Sequence, residues 1–327
     1  MYVTILLISY IYNLNKMNMI EKLRNLDNKF VDKNIPYVTI SAVNGYISPK
    51  FDQEGIAKKC EEKGKSVNCK WTGLSYKEIL DLWEQKANVS RTYGKKLDAY
   101  TECKLKGDKN TIEEFMLDND VDADERMKAH IKAFDQFYER IMKSGDVEFV
   151  GREIEVWNRI TINDNDFYVK GRLDALFYNK RTDTWIIIDW KSNECISTKG
   201  NKWTPTLLGP AQTLLNLDWY TYTMQVFNYK EALLQNYLPE GTEASHVQCM
   251  IVNLPKAEYE NTDAVLGKNK GEIYKAYMPA FKYDENFLNR VFEFAYKKDK
   301  LERSMRKLKE KEESETKVEK QEEFDLF

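Results

Sequence analysis

The sequence predicts an α/β fold: a central mixed sheet flanked by helices, with a helical region on its N-terminal side. Three observations carry this expectation. Residues 171–191 read GRLDALFYNKRTDTWIIIDWK, two apolar runs around a turn-rich NKRTD, which is the pattern of a β-hairpin. Residues 246–254, HVQCMIVNL, form another apolar run of strand length. Between Asp122 and Lys143, apolar Met127, Ile131, Phe134, Phe137 and Ile141 recur at helical spacing.

The bulk numbers set limits. The chain has 327 residues, enough for one large α/β domain with elaborations. Its net charge is −3, so no global basic signature announces a nucleic-acid partner. A local basic cleft can still coexist with that balance. The five cysteines are scattered singly, as suits a reducing cytoplasm, and Cys60 and Cys69 are too far apart for a C-x-x-C pair. With only His130 and His246, a multi-histidine zinc site is not expected.

Taken in order, Tyr2 to Tyr12 is apolar but too short to span a bilayer, and it lacks the flanks of a signal peptide. An added strand, or an upstream start with Met17 or Met19 as the true beginning, are the two readings. Ile20 to Phe30 reads as a short amphipathic helix. The segment PYVTISAVNGYISPKFD reads as a strand leading to a loop. Ser75 to Cys103 reads as helix, turn, helix, with Trp83, Arg91, Gly94, Asp98 and Glu102. Asp98 and Glu102 are four apart and share a helical face. Lys106 to Asn119 is polar and reads as an insertion, and His130 in the next helix reads as structural. Val147 to Asn158 is the strand before the hairpin.

The second run of the hairpin is β-branched and suits a strand buried on both faces. It ends in Asp189-Trp190-Lys191, and charge there needs a reason. Strand alternation points Asp189 and Lys191 to one face, with Asp174 across the hairpin. Two close carboxylates repel, and a hard divalent cation relieves that repulsion. Ser192 to Asn216 follows as a long loop carrying Lys199, Lys202 and Trp203, a composition suited to phosphates and bases. A helix dense in aromatics then places Gln225 and Tyr229 one turn apart. Ile273 to Pro279 reads as a further strand, and from Asn286 the chain is helical, ending in a highly charged run that reads as a solvated helix or disorder. The organisation is thus an extension over 1–37, the main domain over 38–300 and a charged tail over 301–327.

Gly171-x-x-Asp174, then Asp189-Trp190-Lys191, then Gln225-x-x-x-Tyr229 resembles the PD-(D/E)XK nuclease superfamily. The similar branch holds RecB-type nuclease domains and phage lambda-exonuclease-like proteins. The resemblance runs from about Val38 to Pro255. It implies a restriction-endonuclease-like core, with Asp174, Asp189 and the carbonyl of Trp190 as ligands to Mg²⁺ or Mn²⁺. It implies a catalytic Lys191, with Gln225 and Tyr229 in support. It also implies an acid from the preceding strand; Glu153, in Glu-x-x-Val, is the match, and Glu155 shares its face. The family's helical histidine falls at Asp98, so either Asp98 takes its place as ligand or the ligand is lost; Glu102 is the adjoining site residue. Arg91, Ser41, Lys199 and Lys202 are the candidate DNA contacts, with a solvated loop as the other reading for Ser41. Some RecB-type nucleases hold an iron–sulfur cluster through a cysteine triad after the core. This chain has only Cys249 beyond Cys195, so no cluster is expected.

The function this implies is Mg²⁺-dependent hydrolysis of DNA by a stand-alone phage or viral exonuclease in recombination, repair or processing, in the host cytoplasm. The alternative is a DNA-binding or replication-partner-binding protein that does not cut. The C-terminal Phe324, Leu326 and Phe327 resemble docking peptides for a sliding clamp or a single-stranded-DNA-binding protein. Folding back on the core is the other reading. No membrane association is expected.

Overall fold

The computed structural model describes Glu21, Leu23 and residues 31–162, 165–193, 195–255 and 273–325, the last stretch with side chains to Lys311. Most of the expectations made for the first thirty residues, and those for the side chains of Phe324, Leu326 and Phe327, lie outside the described residues. Among the described residues no helix is long and apolar enough to cross a membrane.

A six-stranded mixed sheet forms the middle layer. Strands β2 (Val147–Ile162) and β3 (Asn165–Asn179) pair antiparallel along nearly their whole length. The other side of β3 is shared: the short β1 (Tyr37–Thr39) runs parallel to its first half. β4 (Thr184–Lys191) runs antiparallel to its second half. β5 (Val247–Asn253) lies parallel to β4, and β6 (Lys275–Tyr277) closes the far edge. The β3–β4 hairpin forms as expected. Asn179 closes its turn by accepting from the amides of Arg181 at 3.0 Å and Thr182 at 3.1 Å.

Helices cover both faces. On one lie α1 (Ile40–Ile47), α6 (Asp218–Ala232) and the start of α7 (Glu285–Asp325). On the other lie α3 (Tyr76–Lys106), α4 (Lys109–Asp118) and α5 (Glu125–Met142), while α2 (Gln53–Ser66) packs against α3. Strand β4 shows why its sequence is continuously apolar. Ile187 belongs to the first core, and Ile186 and Ile188 to the second.

Two expectations change. Ser75 to Cys103 is not two helices but part of one 31-residue helix. A reciprocal cap starts it, Ser75 accepting from the Glu78 amide and Glu78 from the Ser75 amide. Gly94 does not interrupt it, because one glycine weakens a helix by only about 1 kcal/mol. The break comes at Gly107, whose φ of 73° is left-handed. Secondly, the segment after β1 is helix α1 rather than loop, since Thr39 caps it and Ile40, Val43 and Ile47 bury one side. Ser41 is therefore an exposed residue in a first helical turn. The charged run from residue 301 continues α7, the solvated-helix reading of that stretch. The polar stretch after Lys106 contains α4, whose Phe115 packs 5.6 Å from the Tyr100 ring.

Candidate active site

The pairing of β3 with β4 extends from Asn179↔Thr184 to Ala175↔Ile188. Beyond that point Asp174 takes over with its side chain, accepting from the Trp190 amide at 2.7 Å. Asp189 is fully buried, and its Oδ2 lies 2.6 Å from the Lys191 ammonium. The expected grouping of two carboxylates and one ammonium is therefore in place. The Trp190 ring is fixed edge-on against Phe134 and Phe137 of α5, at 5.2 and 5.4 Å.

Helix α6 brings the second half of the site. Gln225 donates to Asp189 Oδ1 at 3.1 Å and to the Tyr229 hydroxyl at 2.6 Å. Its face carries two further residues that sequence reasoning missed. Asp218, Tyr222, Gln225 and Tyr229 stand at spacings of four, three and four, which is one helical stripe. The Lys191 ammonium lies 4.5 Å from the centre of the Tyr222 ring. Asn193 donates to the Tyr222 hydroxyl at 3.0 Å and to Asp218 at 3.4 Å. Buried Asn253 of β5 donates to the carbonyls of Lys191 and Asn193, pinning the chain where it leaves β4.

Electrostatics follow from burial. Burial first, and the charge of Asp189 second, push the Asp174 carboxyl well above the ordinary aspartate value. Burial raises Asp189 as well, against the pull of Lys191. For Lys191 burial works the other way, but the two carboxylates outweigh it and its pKa rises. Burial holds the Tyr229 phenol far above its usual range, so it stays protonated. One cation thus faces two carboxylates in a region of low dielectric, which leaves the site short of positive charge.

Glu153 is on β2 between Arg152, which pairs with Ala175, and Ile154, which pairs with Leu173. That register sets it against Asp174. Its φ of 50° is left-handed, rare for a side-chain-bearing residue and found disproportionately at functional sites. Burial and the charge of Asp98 raise its pKa, with Arg172 offsetting at 2.9 Å. Glu155, the other reading, is held elsewhere by Lys170 at 2.6 Å and the Trp157 indole at 3.0 Å.

Asp98 and Glu102 share one helical face as expected, and that face meets a residue the sequence did not flag. Arg152 contacts Asp98 at 2.6 Å and also pairs with Glu102. Arg91 is exposed and engaged by Glu84 and Asn88, each at 2.6 Å. Lys199 and Lys202 are exposed in the loop after β4, with Lys202 beside the exposed Trp203 ring. His130 is buried, with its Nδ1 2.8 Å from the Leu254 carbonyl, a structural position.

Among the described residues, no three His, Cys, Asp or Glu side chains gather to hold a metal ion. The donors in place are the carboxylates of Asp174 and Asp189. Mg²⁺ is commonly held by one or two carboxylates, with waters and substrate phosphate completing its shell. The pair, short of positive charge, fits such an ion.

No protein-family model matches the chain, and no curated protein matches it. Among solved structures, the crystal structure of SSO0001 aligns over 86% of this chain and 85% of that chain, with 13% identity and a TM-score of 0.30. A likeness that slight carries no argument about fold or function.

Proposed function

We propose that this chain is a metal-dependent deoxyribonuclease of the PD-(D/E)XK type, built on a restriction-endonuclease-like core and acting as a stand-alone exonuclease. The observation that carries the reading is the convergence of Asp174, Asp189, Lys191, Gln225 and Tyr229 at the carboxyl end of β4. Their order along the chain is the order in which the resembled family carries its motifs.

Asp174 and Asp189 would hold Mg²⁺ or Mn²⁺, with Glu153 behind them. When bound, the ion lowers the pKa of water and offsets charge on the phosphate. The chain's own groups do the rest. Lys191 supplies a fixed positive charge where negative charge develops as water attacks phosphorus. One P–O ester bond breaks, leaving a phosphate monoester and an alcohol. Gln225 holds Asp189 through one amide hydrogen and Tyr229 through the other, which fixes the carboxylate's orientation. The Tyr222 ring lies against the Lys191 ammonium, and Asn253 holds the Lys191 carbonyl, which together fix the lysine in the cleft.

The test is incubation of end-labelled linear DNA and closed circular DNA with Mg²⁺, Mn²⁺ or a chelator. Metal-dependent loss of the linear substrate supports the proposal. Retarded but intact DNA under every condition would favour a binding protein on the same fold.

A further inference from the structure

We infer that the rim between β1 and α7 is a separate nucleic-acid contact that takes the phosphates and a base of a single-stranded segment. The α7 stretch from Lys297 to Lys311 carries eight lysines and arginines against three acids, a local balance of +5 in a chain of −3. A cavity of about 350 Å³ opens where this stretch meets β1, and its lining includes Tyr37, Tyr296, Asp299, Lys300, Arg303 and Lys307.

Its parts divide between fixed and available groups. Arg303 is anchored by Asp299 at 2.6 Å and donates to the Tyr37 carbonyl at 3.3 Å, so it ties the helix to the strand. Lys300 and Lys307 have no ion pair among the described residues. They face the same cavity, whose one acid among the described residues, Asp299, is paired with Arg303. Tyr37 is 43% exposed and stands edge-on to Trp157 at 5.4 Å. Lys170 lies over both rings, at 5.8 and 4.7 Å. Cations that track a backbone beside aromatic faces that stack bases are what single strands require.

The rim is aligned with the candidate site. Tyr37 pairs with Tyr168, and Lys170, Arg172 and Asp174 follow at alternate positions on β3. Six residues at about 3.3 Å each put the rim roughly 20 Å from Asp174. The exposed Leu301, Met305 and Leu308 on α7 offer a rival ligand, an anionic membrane surface. The cavity favours nucleic acid, because Lys300 and Lys307 stand beside the ring of Tyr37 on β1 and that of Tyr296 on α7 rather than along that apolar stripe.

The inference needs no hydrolysis, so its test is binding in a chelator, measured by fluorescence anisotropy with labelled oligothymidine and the full chain. The double variant Lys300→Glu/Lys307→Glu should bind at least about tenfold more weakly, with a salt slope shallower by about 1.4. Tyr37→Ala should weaken binding by about tenfold at an unchanged slope, since it removes stacking and no charge. Lys65→Glu, on remote α2, should bind as the unaltered chain does. Both lysines are on the surface of a helix, and a melting curve confirms the fold. Equal affinity of the double variant and the unaltered chain overturns the inference. So does a double variant that loses phosphatidylserine vesicles while oligonucleotide binding is absent throughout. Binding without cleavage would leave this rim standing and remove only the hydrolytic reading above.

Discussion

Gly171 lies so close beneath Tyr229 that a Cβ on it would stand 2.4 Å from the ring's Cε1. The glycine is what lets α6 approach β3, and that approach carries Gln225 onto Asp189. Gly171→Ala should therefore displace the ring and lower stability by about 1–3 kcal/mol. Thermal melting checks this, and the cycle with Tyr229→Ala sharpens it. In the Tyr229→Ala background, the added methyl should cost much less. Equal costs in both backgrounds would mean that the contact is not what excludes a side chain at 171.

Lys191 is in direct contact with Asp189, its ammonium 2.6 Å from Oδ2. Lys191→Ala and Asp189→Ala should each reduce DNA hydrolysis by about a hundredfold or more. Circular dichroism at the assay temperature separates lost chemistry from lost fold. Hydrolysis at the unaltered rate in either folded variant would remove the mechanism.

Arg152 joins α3 to β2 through Asp98 and Glu102. With its side chain only 13% exposed, the guanidinium is a partly buried clamp. Asp98→Asn is accordingly expected to lower the melting temperature while leaving the Mg²⁺ concentration for half-maximal hydrolysis unchanged. A raised metal requirement would show that Asp98 leaves Arg152 to serve the ion. Asp98→His provides the complementary reading, since an imidazole ligand would shift preference toward Mn²⁺.

The parts of the site legible in the sequence are those set by local periodicity. Alternation along β4 placed Asp189 with Lys191, and helical spacing placed Gln225 with Tyr229. The hairpin supplied Asp174 because a short turn fixes which strands pair. What escaped is long-range or conformational. Arg152 meets Asp98 across 54 positions, and nothing in either neighbourhood announces the partner. The left-handed φ of Glu153 has no local signal, because a glutamate in a strand pattern reads as an ordinary strand residue. Tyr222 and Asp218 did have a signal, the helical stripe they form with Gln225. It was masked by an α6 so rich in aromatics that every face reads as core. Gly94 misled in the opposite sense, a turn residue by composition that the flanking helix simply absorbs.

Glu231 provides a test of the fold away from the candidate site. It is 5% exposed on α6, and its Oε1 accepts from Gln235 at 3.3 Å while Oε2 has no hydrogen-bond partner among the described residues. Burial first, and the charge of Glu285 second, push its carboxyl up to about 7. The folded chain thus holds this proton more tightly than the unfolded chain. Between the unfolded value near 4.5 and about 7, unfolding releases the proton, so stability falls as pH rises. The contribution is complete below the unfolded value and lost above the folded one. The span corresponds to about 3 kcal/mol. Glu231→Gln has similar shape and no charge to bury. It should exceed the unaltered chain in stability by up to about 3 kcal/mol at pH 8 and by little at pH 4. Urea denaturation at the two pH values measures the difference. An equal effect at both would show that Glu231 stays ionised in the folded chain and that its buried oxygen finds a partner.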